Sequence, residues 1–307
     1  FMKTGFQMDL LSELNFKTDS TLPIIYESQK RKNINYIYHP RELYLKNNKV
    51  FALAHPISFS SSNYQKYKLG KKEKLLLDSL DFLFIRQDPP YNMSYISSMH
   101  LLELVNSKTR IINNPHGIRN APEKLLMLKF PKLIPPTLIT KSKDEVNKFM
   151  IQYNQCVVKP LYGNGGEDIF FLNKKDKNYN QILEAFLKKN NEPFIIQKFL
   201  PEIKKGDKRI ILIDGNPVGA VKRMPKGNEI RSNIHVGGQC VKTGLSKRDL
   251  QICESIKKEL INNGLFFAGI DVIGNFLTEI NVTSPTCIQE IKQLYKIDIA
   301  KIIWDKL

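Results

Sequence analysis

Residues 278–287 read TEINVTSPTC, and GID stands just upstream at 269–271. Their neighbours are apolar (LFFAGI, FL, NV), so Asp271, Glu279 and Asn281 set two carboxylates and an amide into stretches that otherwise read as buried strands. Successive side chains of a strand point to opposite faces, so Glu279 and Asn281 share one face. Asp271 joins them only by pairing directly with Glu279, which calls for a hairpin centred on Asn275 with an odd-numbered loop such as Gly274-Asn275-Phe276. A two-residue turn is expected to send Asp271 to the other face. If the three converge, they offer hard oxygen donors suited to Mg²⁺, with water and phosphate oxygens completing the shell. An open polar sheet face is the alternative reading of the same residues.

Upstream lie three further constellations. KPLYGNGG (159–166) ends an apolar strand at Lys159 and continues into Gly163, Gly165 and Gly166. Such glycines let backbone N–H groups approach an anion, and the lysine can meet a phosphate as a point charge. It is not a Walker A loop, because no GK[ST] follows, and not a dinucleotide fingerprint, because a strand rather than a helix comes next. A glycine-rich hairpin with a solvated lysine is the plainer alternative. PFIIQKFLPEIKKGDKRI (193–210) runs from an apolar strand to Asp207 and Arg209, residue types that suit a ribose and a phosphoryl group, or else a charged surface turn. In RSNIHVGG (231–238), Arg231 and Asn233 alternate on one face, where a guanidinium can meet a phosphate or oxyanion. The lone His235 reads as structural.

Composition narrows the class. The 307 residues are 42% hydrophobic, enough for a buried core and for two or three structural units. No run of 18 apolar residues occurs, and the acidic residues near the start exclude a signal peptide's hydrophobic stretch, so a soluble, cytoplasmic protein without membrane association is expected. Four scattered cysteines form no CxxC pair and indicate neither zinc nor a disulfide framework; reduced, structural thiols are expected. The net charge of +17 comes from lysines spread along the chain (QKRKN, LGKKEKLL, LNKKDKN) rather than striped on one face, which argues against a nucleic-acid partner.

The order of elements reads as α/β followed by α+β. KTGFQMD, NINYIYH, DFLFI and TRIINNP read as strands, separated by the helices TLPIIYESQKRK, with Asp19 or Ser20 at its N-cap, and MSYISSMHLLELVNS; this alternation predicts a parallel, Rossmann-like sheet. From Ala121 the pattern changes: APEKLLMLKF and DEVNKFMIQY read as helices, and QCVVKPL, EDIFFLN and PFIIQKFL as strands. The strands RIILID and PVGAVKRM then flank an Asp214-Gly215 hairpin signal, and SKRDLQICESIKKELINNG reads as a helix closed by Gly264.

The succession Lys124, KPLYGNGG, QKFLPE, GDKRI, RSNIHVGG, GIDVIG and TEINVTSPTC resembles the ATP-grasp ligases. Together with IRQDPPYN (85–92) and GFQMDLLSELNFKTDST (5–21), it is similar to the bacterial glutathione synthetases over almost the whole chain. The resemblance implies an ATP-grasp fold with a Rossmann-like N-terminal domain at 1–121, a small ATP-grasp lid subdomain at 122–200 and a C-terminal subdomain at 201–307. It implies ATP-dependent ligation of γ-glutamylcysteine and glycine through an acyl phosphate, with Mg²⁺ or Mn²⁺, in a homodimer or homotetramer. By the same resemblance Lys124, Lys159 and the Gly163–Gly166 loop would hold ATP phosphates, Gln197, Lys198, Phe199 and Leu200 the adenine, and Asp207 the ribose. Arg209, Arg231 and Asn233 would steady the transferring phosphoryl group and the tetrahedral intermediate, while Asp271, Glu279 and Asn281 would bind the metal. Asp19, Ser20, Arg86, Ser284 and Thr286 would receive the peptide substrate. Three departures stand out: Pro122-Glu123-Lys124 where Asn-Glu-Lys is expected, Met8-Asp9-Leu10 where Met-Asp-Pro is expected, and Gly237-Gly238-Gln239-Cys240 where a glycine- and arginine-bearing loop is expected. A D-alanine ligase-like or amino-acid-adding enzyme is the rival reading, and a non-catalytic binder of the same fold a second.

Overall fold

Strands alternating with helices over the first 119 residues build a sheet whose middle is parallel. In the computed structural model, which describes residues 1–163, 169–189, 192–225 and 239–307, the elements are β1 (Lys3–Gln7), α1 (Thr21–Lys30), β2 (Ile34–Tyr38), β3 (Leu43–Lys46), β4 (Lys49–Phe59), β5 (Tyr67–Leu69), β6 (Glu73–Leu76), β7 (Phe82–Ile85), α2 (Met93–Leu102), β8 (Arg110–Ile112) and α3 (Pro115–Arg119). β2, β1, β7 and β8 run parallel in that order. β4 joins β2 antiparallel and carries β3, β5 and β6. The reading above has no counterpart for β3–β6: LYLK and YKL are short and partly or wholly exposed, whereas β4, with its VFALA run, carries a strand signal that the reading passes over. α1 starts where Asp19 Oδ1 accepts the N–H groups of Thr21 and Leu22, both at 2.8 Å, and it buries Leu22, Ile24 and Ile25.

Residues 137–198 form a four-stranded antiparallel sheet in the order β11-β10-β12-β9. Its elements are β9 (Thr137–Thr140), α4 (Lys143–Tyr153), β10 (Gln155–Pro160), β11 (Phe170–Asn173), α5 (Tyr179–Lys189) and β12 (Phe194–Lys198). Val146 and Met150 of α4 and Leu183 and Phe186 of α5 pack on Val158, Leu172 and Ile196 in a core of their own.

The remaining chain supplies β13 (Asp207–Ile213), β14 (Asn216–Met224), β15 (Gln239–Val241), α6 (Lys247–Asn262), β16 (Phe267–Ile273), β17 (Phe276–Asn281), α7 (Ile288–Tyr295) and α8 (Ile299–Asp305). The sheet order is β15-β14-β13-β16-β17. Asp214 and Gly215, at φ +52° and +70°, make the tight β13–β14 turn that the DG pair signals. Ser246 and Asp249 form a reciprocal cap at the start of α6, and Gly264 at φ +63° lies just past its end.

The segment APEKLLMLKF departs from expectation. Only Leu126–Lys129 turns, as a short 3-10 helix, because the backbone around it is drawn to β17: Ile280 N–H donates to Glu123 O at 3.1 Å and Leu277 N–H to Leu133 O at 2.8 Å. Sheet-edge hydrogen bonds outweigh local helix propensity there.

The C-terminus folds back onto the first sheet. Trp304 donates its indole N–H to Ile24 O at 2.9 Å and packs edge-on against Phe82. Asn113 stitches the two sheets together: its Nδ2 donates to Phe267 O at 2.7 Å and Val282 O at 2.8 Å, and its Oδ1 accepts Phe267 N–H at 2.7 Å. All of this is buried, so Asn113→Ala strands a donor and two acceptors and should lower the unfolding free energy by about 3 kcal/mol. Urea denaturation measures it, and a loss under about 1 kcal/mol would contradict the assigned role.

Candidate active site

The site grows from one face of the C-terminal sheet. Cys240, Arg223 and Asp207 stand opposite one another across β15, β14 and β13. The next row along that face carries Arg209, Asp271 and Glu279 across β13, β16 and β17. Gly269 and Asn281 pair one step further.

Asp271 does oppose Glu279, but by a different route from the expected odd-numbered loop. The β16–β17 turn has two residues, Gly274 and Asn275, with Ile273 paired to Phe276. Val272 pairs with Leu277 and Asp271 with Glu279, so Thr278 is an extra residue in β17. This bulge restores the face that a two-residue turn alone would have reversed. Thr278 Oγ1 donates to Asp271 O at 3.1 Å, which ties the bulge down.

Four buried charges occupy the middle of the face. Arg209 holds Asp271 through Nε–Oδ1 at 2.5 Å and Nη2–Oδ2 at 3.0 Å. Arg223 Nη2 lies 2.9 Å from Asp271 Oδ2, and Arg223 also binds Asp207 with both Nε and Nη2. Burial opposes the charge of Asp271, but Arg209 and Arg223 more than offset it and hold the carboxyl well below its usual range. Asp207, expected to face a ribose, is instead turned onto Arg223, which takes both its oxygens. Arg223 itself escapes the sequence reading, which sees only a strand in PVGAVKRM; counting back from the Asp214-Gly215 turn brings it within one residue of Asp207.

Around this network stand Lys124, Lys159, Glu123 and Glu279. Lys124 Nζ is 3.0 Å from Glu279 Oε1 and also donates to Gly163 O. Lys159 Nζ donates to Gln197 Oε1 at 3.0 Å, and Gln197 Nε2 to Thr137 Oγ1 at 3.0 Å. Burial lowers Lys159 to about 8, Glu279 opposing and Lys124 adding to the shift. Glu123, named in the sequence only within Pro122-Glu123-Lys124 and not as a site residue, is pushed up to about 7, by burial first and then by Glu279. Thr283 Oγ1 donates to it at 2.7 Å. Lys198 is exposed, with its ammonium 5.9 Å from the Tyr153 ring, while Leu200 is buried and Phe199 packs edge-on against Phe171. Gly165, Gly166, Arg231 and Asn233 lie outside the described residues.

Asp271, Glu279 and Asn281 are all oxygen-bearing and share a face, and Asn281 Nδ2 lies 3.4 Å from Asp271 Oδ2. Among the described residues no cluster of three His, Cys, Asp or Glu side chains suits a metal; the third donor expected from the sequence is the amide oxygen of Asn281, whose Nδ2 donates to Gly269 O and Asp271 Oδ2. Two carboxylates and an amide fit a hard divalent cation.

The five residues expected at the peptide substrate also come together. Arg86 donates through Nε to Thr21 Oγ1 at 3.1 Å and through Nη2 to Pro285 O at 2.9 Å, and its guanidinium lies 5.0 Å from the Phe267 ring. Its Nη1 is buried and has no hydrogen-bond partner among the described residues. Ser284 Oγ donates to Arg86 O at 3.2 Å, Ser20 Oγ accepts Ile288 N–H at 3.5 Å, and Thr286 Oγ1 lies 3.4 Å from Arg209 Nη1. Gln289, a further residue missed in the sequence, donates to Asp19 O at 2.5 Å and Phe16 O at 3.1 Å and so fixes the turn that presents Asp19.

With this geometry established, comparison with known proteins is informative. Residues 2–119 match the model of the prokaryotic glutathione synthetase N-terminal domain, and residues 123–296 that of its ATP-grasp domain. The chain is 43% identical over 304 residues to a glutathione synthetase of Mesorhizobium japonicum, covering 99% of this chain and 97% of the relative. It is 40% identical over 303 residues to one of Synechocystis, covering 95% of each. Among solved structures it is similar to D-cycloserine synthetase DcsG, at a TM-score of 0.68, 11% identity and 99% coverage of both chains. The ATP-grasp ligase PsnB complexed with its minimal precursor follows at a TM-score of 0.64 and 14% identity, covering 99% of this chain and 97% of that one. These likenesses show the ATP-grasp fold.

Asp19 gives the site a measurable titration. Burial is the main cause that raises its pKa to about 6 from 3.8, although the N–H groups of Leu22 and Thr21 and the charge of Arg86 oppose the shift. A carboxyl raised in the folded state contributes stability at low pH and loses it as pH climbs through about 6. Asp19→Asn keeps an acceptor for the helix cap without the charge. Between about pH 4 and pH 7.5 the wild type should therefore lose about 2 kcal/mol more stability than the variant. Parallel pH-dependent melts test this, and equal slopes would remove Asp19 from the explanation.

Proposed function

The chain belongs to the prokaryotic glutathione synthetase family, and from that membership we propose how its side chains carry out the ATP-dependent ligation of γ-glutamylcysteine and glycine. The observation that carries the reading is the row Arg209–Asp271–Glu279, its first two members buried and Glu279 half-buried, flanked by two lysines that reach the same face.

The cysteinyl carboxylate attacks the γ-phosphorus of ATP and releases ADP; the glycine amine then attacks the acyl phosphate carbon, and phosphate leaves. Lys124 and Lys159 bind nucleotide phosphates, helped by the glycines at 163, 165 and 166. Gln197, Lys198, Phe199 and Leu200 border the base. Asp271, Glu279 and Asn281 would hold a divalent cation, which when bound would supply positive charge to offset the repulsion between phosphate and carboxylate oxygens; Mg²⁺ is our reading, with Mn²⁺ as the substitute. Arg209 is oriented by Asp271, so its free edge meets charge that develops on the phosphoryl oxygens or the oxyanion, with Arg231 and Asn233 assisting. Asp207 acts through Arg223 rather than on a ribose. Arg86, whose Nη1 has no partner among the described residues, receives a carboxylate of the peptide substrate, beside Asp19, Ser20, Ser284 and Thr286.

We keep the boundaries 1–121, 122–200 and 201–307 for the three units and place the enzyme in the cytoplasm as a homo-oligomer, a dimer or tetramer. Among the described residues no helix is long and apolar enough to cross a membrane.

Purified protein with Mg-ATP should release phosphate only when γ-glutamylcysteine and glycine are both present; release with another carboxylate and amine pair instead moves the assignment to a different ligase. Glu279→Gln should reduce kcat by about two orders of magnitude with the fold retained, at some cost in stability from the buried Lys124 it leaves without its carboxylate, and full activity would overturn the metal assignment.

Because the depressed Lys159 is half deprotonated near pH 8, nucleotide binding should draw a proton onto it and weaken as pH rises above that value. Titration calorimetry in two buffers of different ionisation enthalpy reads the proton uptake, and none at pH 8 would contradict the phosphate role.

A further inference from the structure

The outer edge of β17 carries a carboxylate that no cation accompanies. Ile280 N–H donates to Glu123 O at 3.1 Å, which fixes the Glu123 backbone against that edge. Its Oε1 accepts Thr283 Oγ1 at 2.7 Å, and its Oε2 has no hydrogen bond or ion pair among the described residues. Lys124, the next residue, does not serve it: that ammonium lies 3.0 Å from Glu279 Oε1 and donates to Gly163 O. A half-buried carboxylate that meets only one neutral hydroxyl has most of its desolvation uncompensated, so it calls for a positive group.

Glu123 opens into a cleft lined by three separate stretches of chain. Pro89 and Tyr91 come from the loop before α2, Tyr162 and Gly163 from the loop after β10, and Lys124 from beside β17. The Tyr162 ring stacks on Tyr91 with centroids 6.0 Å apart at 15°, and Tyr91 packs in turn on Tyr95 at 5.5 Å. The Tyr91 hydroxyl donates to Ile118 O at 3.1 Å, so the aromatic wall is anchored in the first domain. An apolar wall of this kind strengthens any charge pair formed beside it. The cleft has room for one water-sized group, which is the size of an ammonium head and too little for a phosphate or a base.

We propose that this cleft seats the ammonium of the acceptor amine, glycine, and that Glu123 is the carboxylate that selects it. Of the two amine-bearing substrates, glycine is the one that fits by position. The row Arg209–Asp271–Glu279 separates the cleft from the residues assigned to the peptide: Thr286 meets Arg209 at one end, and Lys124 meets Glu279 at the other. Donor and acceptor then approach the phosphorylated carboxyl from opposite ends of one row. The identity of the occupant rests on the ligase reading of the preceding subsection; the affinity of the cleft for an ammonium does not.

Steady-state kinetics of the full chain test the seat, with phosphate release followed at saturating levels of the other two substrates. Glu123→Gln should raise KM for glycine by about ten- to a hundredfold and leave KM for ATP and for γ-glutamylcysteine unchanged. Tyr162 is exposed, so its variants should fold. Tyr162→Ala should move KM for glycine in the same direction by a smaller factor, and Tyr162→Phe should keep the wild-type value. A rise shared by all three substrates, a rise confined to γ-glutamylcysteine, or a fall in kcat at unchanged glycine KM overturns the proposal. Saturation-transfer NMR with glycine needs no turnover: the wild type should give a signal at the glycine methylene, and Glu123→Gln should lose it. A signal that depends on Glu123 in a protein without ligase turnover would sink the ligase reading alone, whereas turnover with a signal indifferent to Glu123 would sink the seat alone.

Discussion

The structure depends on how two arginines and two aspartates share one buried sheet face. Isolated, each charge would cost several kcal/mol to remove from water. Arg223 lies between Asp207 and Asp271, and Arg209 closes the row on Asp271, so two positive charges meet two negative ones through forked hydrogen bonds. Removing one member leaves a buried charge without its partner, which is the destabilising change; the complete network is close to neutral in its effect on stability. Its consequence is orientation: guanidiniums fixed on carboxylates have few rotamers left, and their remaining N–H groups point in set directions.

This arrangement makes demands on residues that bear no charge. An added Cβ at Gly269 would approach Arg209 Cδ at 3.2 Å and Pro285 Cβ at 3.4 Å, so the glycine of GID leaves space for the arginine beside it. Thr278 carries no chemistry of its own, yet the bulge it forms decides whether Glu279 and Asn281 share a face with Asp271. Pro285 accepts a hydrogen bond from Arg86 through its carbonyl, which connects the sheet face to the first domain.

Legibility in the sequence follows the range of the interaction. The parallel strands, the Asp214-Gly215 turn and the closure of α6 at Gly264 were readable, because alternation, turn chemistry and capping are local. The convergence of Asp271, Glu279 and Asn281 was readable as a requirement, but not its means: a bulge leaves no residue signature in FLTEIN. Arg223 and Glu123 were missed for a related reason, since each becomes significant only through a partner on another strand. APEKLLMLKF has good helix formers, and only the hydrogen bonds of β17 reveal why it does not form a longer helix. Asp207 could be read as a candidate site residue, but not its partner, because the register irregularity between Ile211 and Leu212 shifts Arg223 by one position.

The same network bears on why the charged side chains can remain folded together before any substrate arrives. Lys124 rests on Glu279 and on the carbonyl of Gly163, and Lys159 rests on Gln197. On the proposed phosphate role, each cation is held by a partner that a phosphate would replace, so binding would exchange one set of hydrogen bonds for another instead of burying bare charge. Gly163 belongs to the loop after β10, whereas Lys124 lies beside β17, so the contact that nucleotide would displace under this proposal is one that joins the small sheet to the large one. Under the same proposal, occupancy of the phosphate site and the relation between the two sheets would be coupled through the Lys124 ammonium, because it cannot serve the carbonyl, the carboxylate and a phosphate equally well at once.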